Sequence, residues 1–64
     1  MYNPAYRYGV ITFCYDSGQD EKLDYPTIKA AKTAIRTRYK GYEGYAIYDH
    51  LRREYVAIMG EYPR

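Results

Sequence analysis

The stretch from Pro26 to Gly41 constrains this chain most. At 100° per residue Ile28, Ala31, Ala34, Ile35 and Tyr39 fall on one face, the pattern of a helix with one side buried. Thr27 is placed to accept a bond from the free amides of the first turn, and Gly41 to end the helix. The spacing predicts a helix over 28–40. Its alanines are small enough to let it lie close against a sheet.

The strands of that sheet are sought in the β-branched and aromatic runs. Residues 6–15, YRYGVITFCY, read as a strand that ends at the turn residues Asp16-Ser17-Gly18. The polar run 16–24 reads as a loop. YAIY at 45–48 and YVAIM at 55–59 read as a hairpin whose tip, 49–54, is charged, and the tail 60–64 with its Pro63 is expected to leave the sheet or fray. The order is then β-α-β-β. This predicts an α+β fold, a single domain over 1–64 with one helix packed on a three-stranded mixed sheet. A right-handed crossover sets the first two strands parallel, with the third between them because its VAIM run looks the most buried.

A chain of 64 residues allows one domain with a thin core, burying roughly 60% of the surface it exposes when unfolded. It has no internal repeat, low-complexity segment or linker. Eleven of its residues are tyrosines, whose rings bury well while their hydroxyls need water or a partner. The single cysteine, Cys14, excludes an intramolecular disulfide. No apolar run is long enough for a signal peptide or a membrane span, so the cytoplasm is the expected compartment.

Catalysis, a cofactor, a metal and a small-molecule ligand are not expected. His50, the only histidine, stands beside Asp49 in the charged tip, where no walled cleft is at hand. Cys14 has no basic neighbour in sequence and reads as a small apolar residue. Asp16, Asp20 and Asp24 recur every fourth residue, whereas a calcium loop needs ligands at alternate positions and a glycine at the sixth. Gly41 and Gly44 flank Tyr42-Glu43 as turn residues and not as a phosphate-cradling motif.

Two surfaces remain as candidates. Lys29, Lys32, Arg36 and Lys40 fall within about 80° on the helical wheel. Bases in a last turn complement the helix dipole, which accounts for Arg36, Arg38 and Lys40 but not for Lys29 and Lys32. The four are therefore candidate contacts to nucleic-acid phosphates, against the plain reading of a solvated face. The net charge of +2 is well short of the bias that would by itself suggest nucleic acid.

The second surface is the side of the sheet that one helix leaves uncovered. With Ile11, Phe13, Ile47, Val56 and Ile58 turned to the helix, alternation sends Tyr8, Val10, Cys14, Ala46, Tyr48, Tyr55, Ala57 and Met59 outward. Tyr8, Val10, Tyr48, Tyr55 and Met59 are the candidate interaction face. An apolar face of this kind marks a partner or an oligomer. The favoured reading is a small non-enzymatic protein-interaction module, self-associating as a homodimer through this tyrosine-rich face and acting as accessory or regulator of a larger partner. The alternative is a nucleic-acid-binding module that uses the basic flank of the helix.

Overall fold

The computed structural model describes residues 4–63. A 3-10 turn, Pro4–Tyr6, leads into β1 (Tyr8–Cys14), β2 (Gly18–Tyr25), α1 (Ile28–Thr37), β3 (Gly44–Asp49) and β4 (Glu54–Gly60). The strands form one sheet in the order β2-β1-β3-β4, and every neighbouring pair is antiparallel.

This corrects the expected β-α-β-β order and the three-stranded mixed sheet. The run taken as a loop is β2, joined to β1 by the three residues Tyr15 to Ser17 and by Gly18 at φ 78°. A three-residue hairpin loop that closes on a left-handed glycine is a common device. β2 reads GQDEKLDY because it is an edge strand, largely in water on both sides, so hydrophobic alternation is nearly lost. The other edge is β4, which was expected in the middle. The chain leaves β2 running opposite to β1, and the helix carries it back into β3 in the direction of β2. β1 fills the space between them, so the crossover joins two strands of like direction that are not neighbours.

The helix starts where the sequence places it. Thr27 is the N-cap, its hydroxyl accepting from the Ala30 amide at 3.0 Å. It ends earlier, with Arg38 as C-cap, so Lys40 lies in the turn that follows. Ala31 is fully buried and Ala34 nearly so, which lets the helix backbone approach the sheet.

Val10, Ala31, Ile35 and Ile47 form the centre of the core, and Tyr8, Tyr25, Tyr39, Tyr45, Ala57 and Met59 are among the residues around it. Val10 lies opposite Ile47 on the neighbouring strand, and both face the helix. The expected facing is therefore inverted in β1 and in most of β4: Tyr8, Val10, Ala57 and Met59 lie under the helix, while Ile11, Phe13 and Ile58 point away. In β3, Ile47 faces the helix and Ala46 and Tyr48 the other side. An irregularity between Tyr55 and Ala57 keeps Tyr55 opposite Tyr48 on that other side.

Core tyrosines reach polar partners at its border. The Tyr25 and Tyr39 hydroxyls are 2.9 Å apart, and the Tyr45 hydroxyl donates to the Tyr39 carbonyl. The tail, expected to fray, instead turns back over the sheet: the Glu61 amide donates to the Glu43 carbonyl at 2.9 Å, and Tyr62 is only 5% exposed.

One ion pair ties the start of β1 to the β3–β4 turn. Arg7 holds both carboxylate oxygens of the buried Asp49, at 3.0 and 2.9 Å, and the same carboxylate accepts from the Leu51 and Arg52 amides. The Arg7 hydrogen bonds, helped by those amides against the cost of burial, lower Asp49 to about 2. An aspartate in the unfolded chain titrates near about 3.9. The folded value is the lower one, so this contribution to stability is complete above the unfolded value and is lost as pH falls from about 4 towards 2. Urea unfolding at pH 6, 4 and 2 is expected to show that loss in the parent and a smaller one in Asp49→Asn. Equal losses in the two proteins would assign the acid sensitivity to other groups.

Candidate functional site

The two candidate surfaces lie on opposite sides of the sheet. On the outer side of α1, Lys29, Lys32 and Arg36 are exposed, as is Lys40 in the turn beyond. Among the described residues none of them pairs with a carboxylate; the ion pairs are Arg7–Asp49, Lys22–Asp20, His50–Asp24 and Arg52–Glu54. Between the cations, Thr33 and Thr37 turn their hydroxyls back to the Lys29 and Thr33 carbonyls. This surface is a cationic, solvated helix face, flanked by an open hollow of about 530 Å³ whose lining includes Tyr25, Lys29, Thr33, Thr37 and Arg38.

The side turned away from the helix is aromatic. Ring follows ring across it: Tyr15 to Phe13 at 5.5 Å, Phe13 to Tyr62 at 6.3 Å, Tyr62 to Tyr55 at 6.0 Å, Tyr55 to Tyr48 at 5.2 Å and Tyr48 to His50 at 5.3 Å. Most meet edge to face, the geometry favoured by the ring quadrupole. Two glycines make the row possible. A Cβ on Gly44 would stand 2.3 Å from the Tyr62 backbone nitrogen, and one on Gly9 would stand 2.9 Å from the His50 ring. The first lets the tail lie on β3; the second leaves room for the His50–Asp24 contact of 3.1 Å.

Beside the row is an open hollow of about 540 Å³, lined by Ile11, Gln19, Asp20, Glu21, Tyr48, His50 and Tyr55. Strand register puts Glu21 opposite Ile11 and Asp24 opposite Gly9, so both carboxylates stand on this side. Near the far end of the row, Glu43 accepts from the Tyr15 amide at 3.1 Å. Burial first, then Glu61 and Glu43, raises the Tyr15 phenol, while burial and the neighbouring Tyr55 phenol push Tyr62 up to about 12. Both stay neutral at physiological pH. No lysine or arginine lines the hollow. A base stacking on these tyrosines would bring its phosphates towards carboxylates, which disfavours nucleic acid on this side.

Of the residues proposed for the interaction face, Tyr48 and Tyr55 stand on the aromatic side, whereas Tyr8, Val10 and Met59 lie on the helix side, Val10 only 1% exposed. Phe13, Tyr62, His50 and Glu21 belong to the aromatic side and were not foreseen there. The pairing of Gly44 with a tyrosine in the tail is the one signal that sequence offered, and it is visible only once the tail is known to return. Among the described residues no helix is long and apolar enough to cross a membrane, and no three His, Cys, Asp or Glu side chains are gathered to hold a metal. No known protein family, no curated protein and no solved structure matches this chain.

Proposed function

We propose that the protein is a small protein-interaction module, an accessory to a larger partner, and that the aromatic side of its sheet receives a protein segment bearing a basic side chain. The observation that supports this is the juxtaposition of Tyr48, Tyr55 and Glu21 around a hollow that contains no lysine or arginine. A guanidinium or ammonium group gains about 0.5–1 kcal/mol over an exposed aromatic ring and about 2 kcal/mol when water is excluded, and a carboxylate within reach adds to that attraction. Binding through one such side chain is weak and fast, as suits a regulator.

The exposed lysines and arginine of α1 favour the second reading, nucleic acid held by its phosphates, and one experiment separates the two. Labelled protein is titrated with an arginine-bearing peptide, a glutamate-bearing peptide and a short oligonucleotide, and the amide shifts are followed by NMR. The expected result is movement around Phe13, Tyr48 and Tyr55 with the arginine peptide alone, weakened about tenfold or more by Glu21→Lys. Shifts along residues 29–40 with the oligonucleotide, fading as salt rises, together with a silent aromatic side, would overturn the first reading for the second.

A further inference from the structure

Strand register fixes what faces what around the hollow beside the aromatic row. On the side turned away from the helix, Gln19 and Glu21 stand two residues apart on β2, opposite Phe13 and Ile11 of β1. Tyr48 and Tyr55 stand beyond, paired across β3 and β4. β1 separates β2 from β3, so at about 4.8 Å per strand spacing the strands that carry Glu21 and Tyr48 run roughly 10 Å apart. Between them the half-buried Ile11 forms an apolar floor. The lining carboxamide and carboxylate thus lie to one side and the rings to the other. The carboxylates nearby are unequal. Asp20 is held by Lys22 at 2.7 Å and Asp24 by His50 at 3.1 Å, whereas Glu21 has no ion-pair partner among the described residues. The Tyr48 and Tyr55 rings meet at 75°, so a flat group that lies on the face of one stands against the other at a steep angle.

Resting on the reading of this side as the receiver of a basic segment, we propose that the side chain received is arginine and that Glu21 makes the hollow discriminate against lysine. A guanidinium is flat, weakly hydrated and always charged, and it carries five N–H donors around its edge. One of its faces lies on a tyrosine ring while an edge donates two parallel bonds to the Glu21 carboxylate, and its aliphatic stem covers Ile11. The hollow is open, so a compact ammonium keeps its water there. Lysine then gains only a screened attraction to Glu21, and its point charge has no fork to match the carboxylate. A trimethylated ammonium has no N–H for Glu21 or Gln19, and it is best held by ring faces on several sides, where this hollow sets polar groups against the rings. Rings alone would accept any of these cations, and so would a carboxylate alone. Their combination across β1 selects the group that serves both at once.

The test is an NMR titration of the full labelled chain with four peptides that differ at one position, which holds arginine, lysine, trimethyllysine or citrulline. Citrulline keeps the shape of arginine and lacks its charge. Arginine is expected to bind about fivefold or more tighter than lysine or trimethyllysine, and citrulline to leave Tyr48 and Tyr55 unmoved. This comparison needs no variant. Glu21→Gln is expected to weaken arginine most and to bring it within about twofold of lysine, and Tyr55→Leu to narrow the difference as well. Glu21 and Tyr55 are both exposed, and circular dichroism verifies that each variant is folded. Arginine and lysine binding alike, or trimethyllysine binding tightest, would overturn the inference and leave the reading of a basic segment standing. Selectivity for arginine that survives Glu21→Gln would overturn the role given to that carboxylate. An aromatic side silent to all four peptides would overturn the inference and the reading together.

Discussion

Replacing Ile47 by alanine is expected to cost about 2–5 kcal/mol of stability, the range for emptying a well-packed aliphatic site. Ile47 is fully buried in the core it forms with Val10, Ala31 and Ile35, where strand and helix residues are all buried. Domains have about 0.05–0.15 kcal/mol of stability per residue, so a chain of this length holds roughly 3–10 kcal/mol in all. The variant is thus expected to be largely or wholly unfolded near physiological temperature. Ile58→Ala, on the half-exposed aromatic side, is expected to cost well under half as much. Urea unfolding of both proteins tests the strand facing directly. A larger loss at Ile58 than at Ile47 would mean that the two sides of the sheet are exchanged.

Gly44→Ala is expected to evict the tail. The added Cβ would stand 2.3 Å from the Tyr62 nitrogen and 2.7 Å from its Cα, and these are backbone atoms that no rotamer change can move aside. Tyr62 then leaves Phe13 and Tyr55, with the loss of about 1.5–3 kcal/mol for a large side chain returned to water. A second readout is specific to this event. Burial holds the Tyr62 phenol up at about 12, and in the variant it is expected to fall towards the ordinary tyrosine value near about 10. Absorbance titration of the phenols, compared with Tyr62→Phe to identify the group, reads the change. Adding Tyr62→Ala to Gly44→Ala should cost little more than either change alone, because both remove the same contact. A Tyr62 phenol still near 12 in Gly44→Ala would show that the strand, and not the tail, gives way.

Loss of the tail also bears on binding. Tyr62 links Phe13 to Tyr55, so its departure breaks the aromatic row in the middle and exposes Phe13. The segregation of charge has a similar bearing on the nucleic-acid reading. The cations of α1 and the tyrosines of the aromatic row do not form one surface, because the sheet stands between them. A strand of nucleic acid that meets Lys29, Lys32 and Arg36 makes phosphate contacts there without stacking on the aromatic row.

The helix was legible because its information is local. Thr27 caps it, the apolar period marks its buried side, and a buried stripe at that spacing fits no strand. Three of the strands were legible for a related reason: β-branched and aromatic residues are dense in β1, β3 and β4. What they lack is alternation. Residues 8–14 are YGVITFC, with apolar or aromatic side chains at both odd and even positions, so local pattern cannot say which set meets the helix. That choice fell to Val10 because it comes opposite Ile47, a contact between residues 37 positions apart. Here 37 is the difference of the two residue numbers, and such a partner is invisible to local periodicity.

β2 was illegible for the opposite reason. An edge strand supplied with carboxylates is protected from wrong partners and for that same cause resembles a loop. Once it is a strand, the direction of the chain entering the helix reverses, and the strand order and the antiparallel pairing follow. The sequence by itself determined the helix with its cap and the presence of β-forming segments, because propensity and period act over a few residues. Only the tertiary structure decided the sheet order, the side each tyrosine faces and the return of Tyr62 over Gly44, because each depends on which distant backbone lies close enough to be touched.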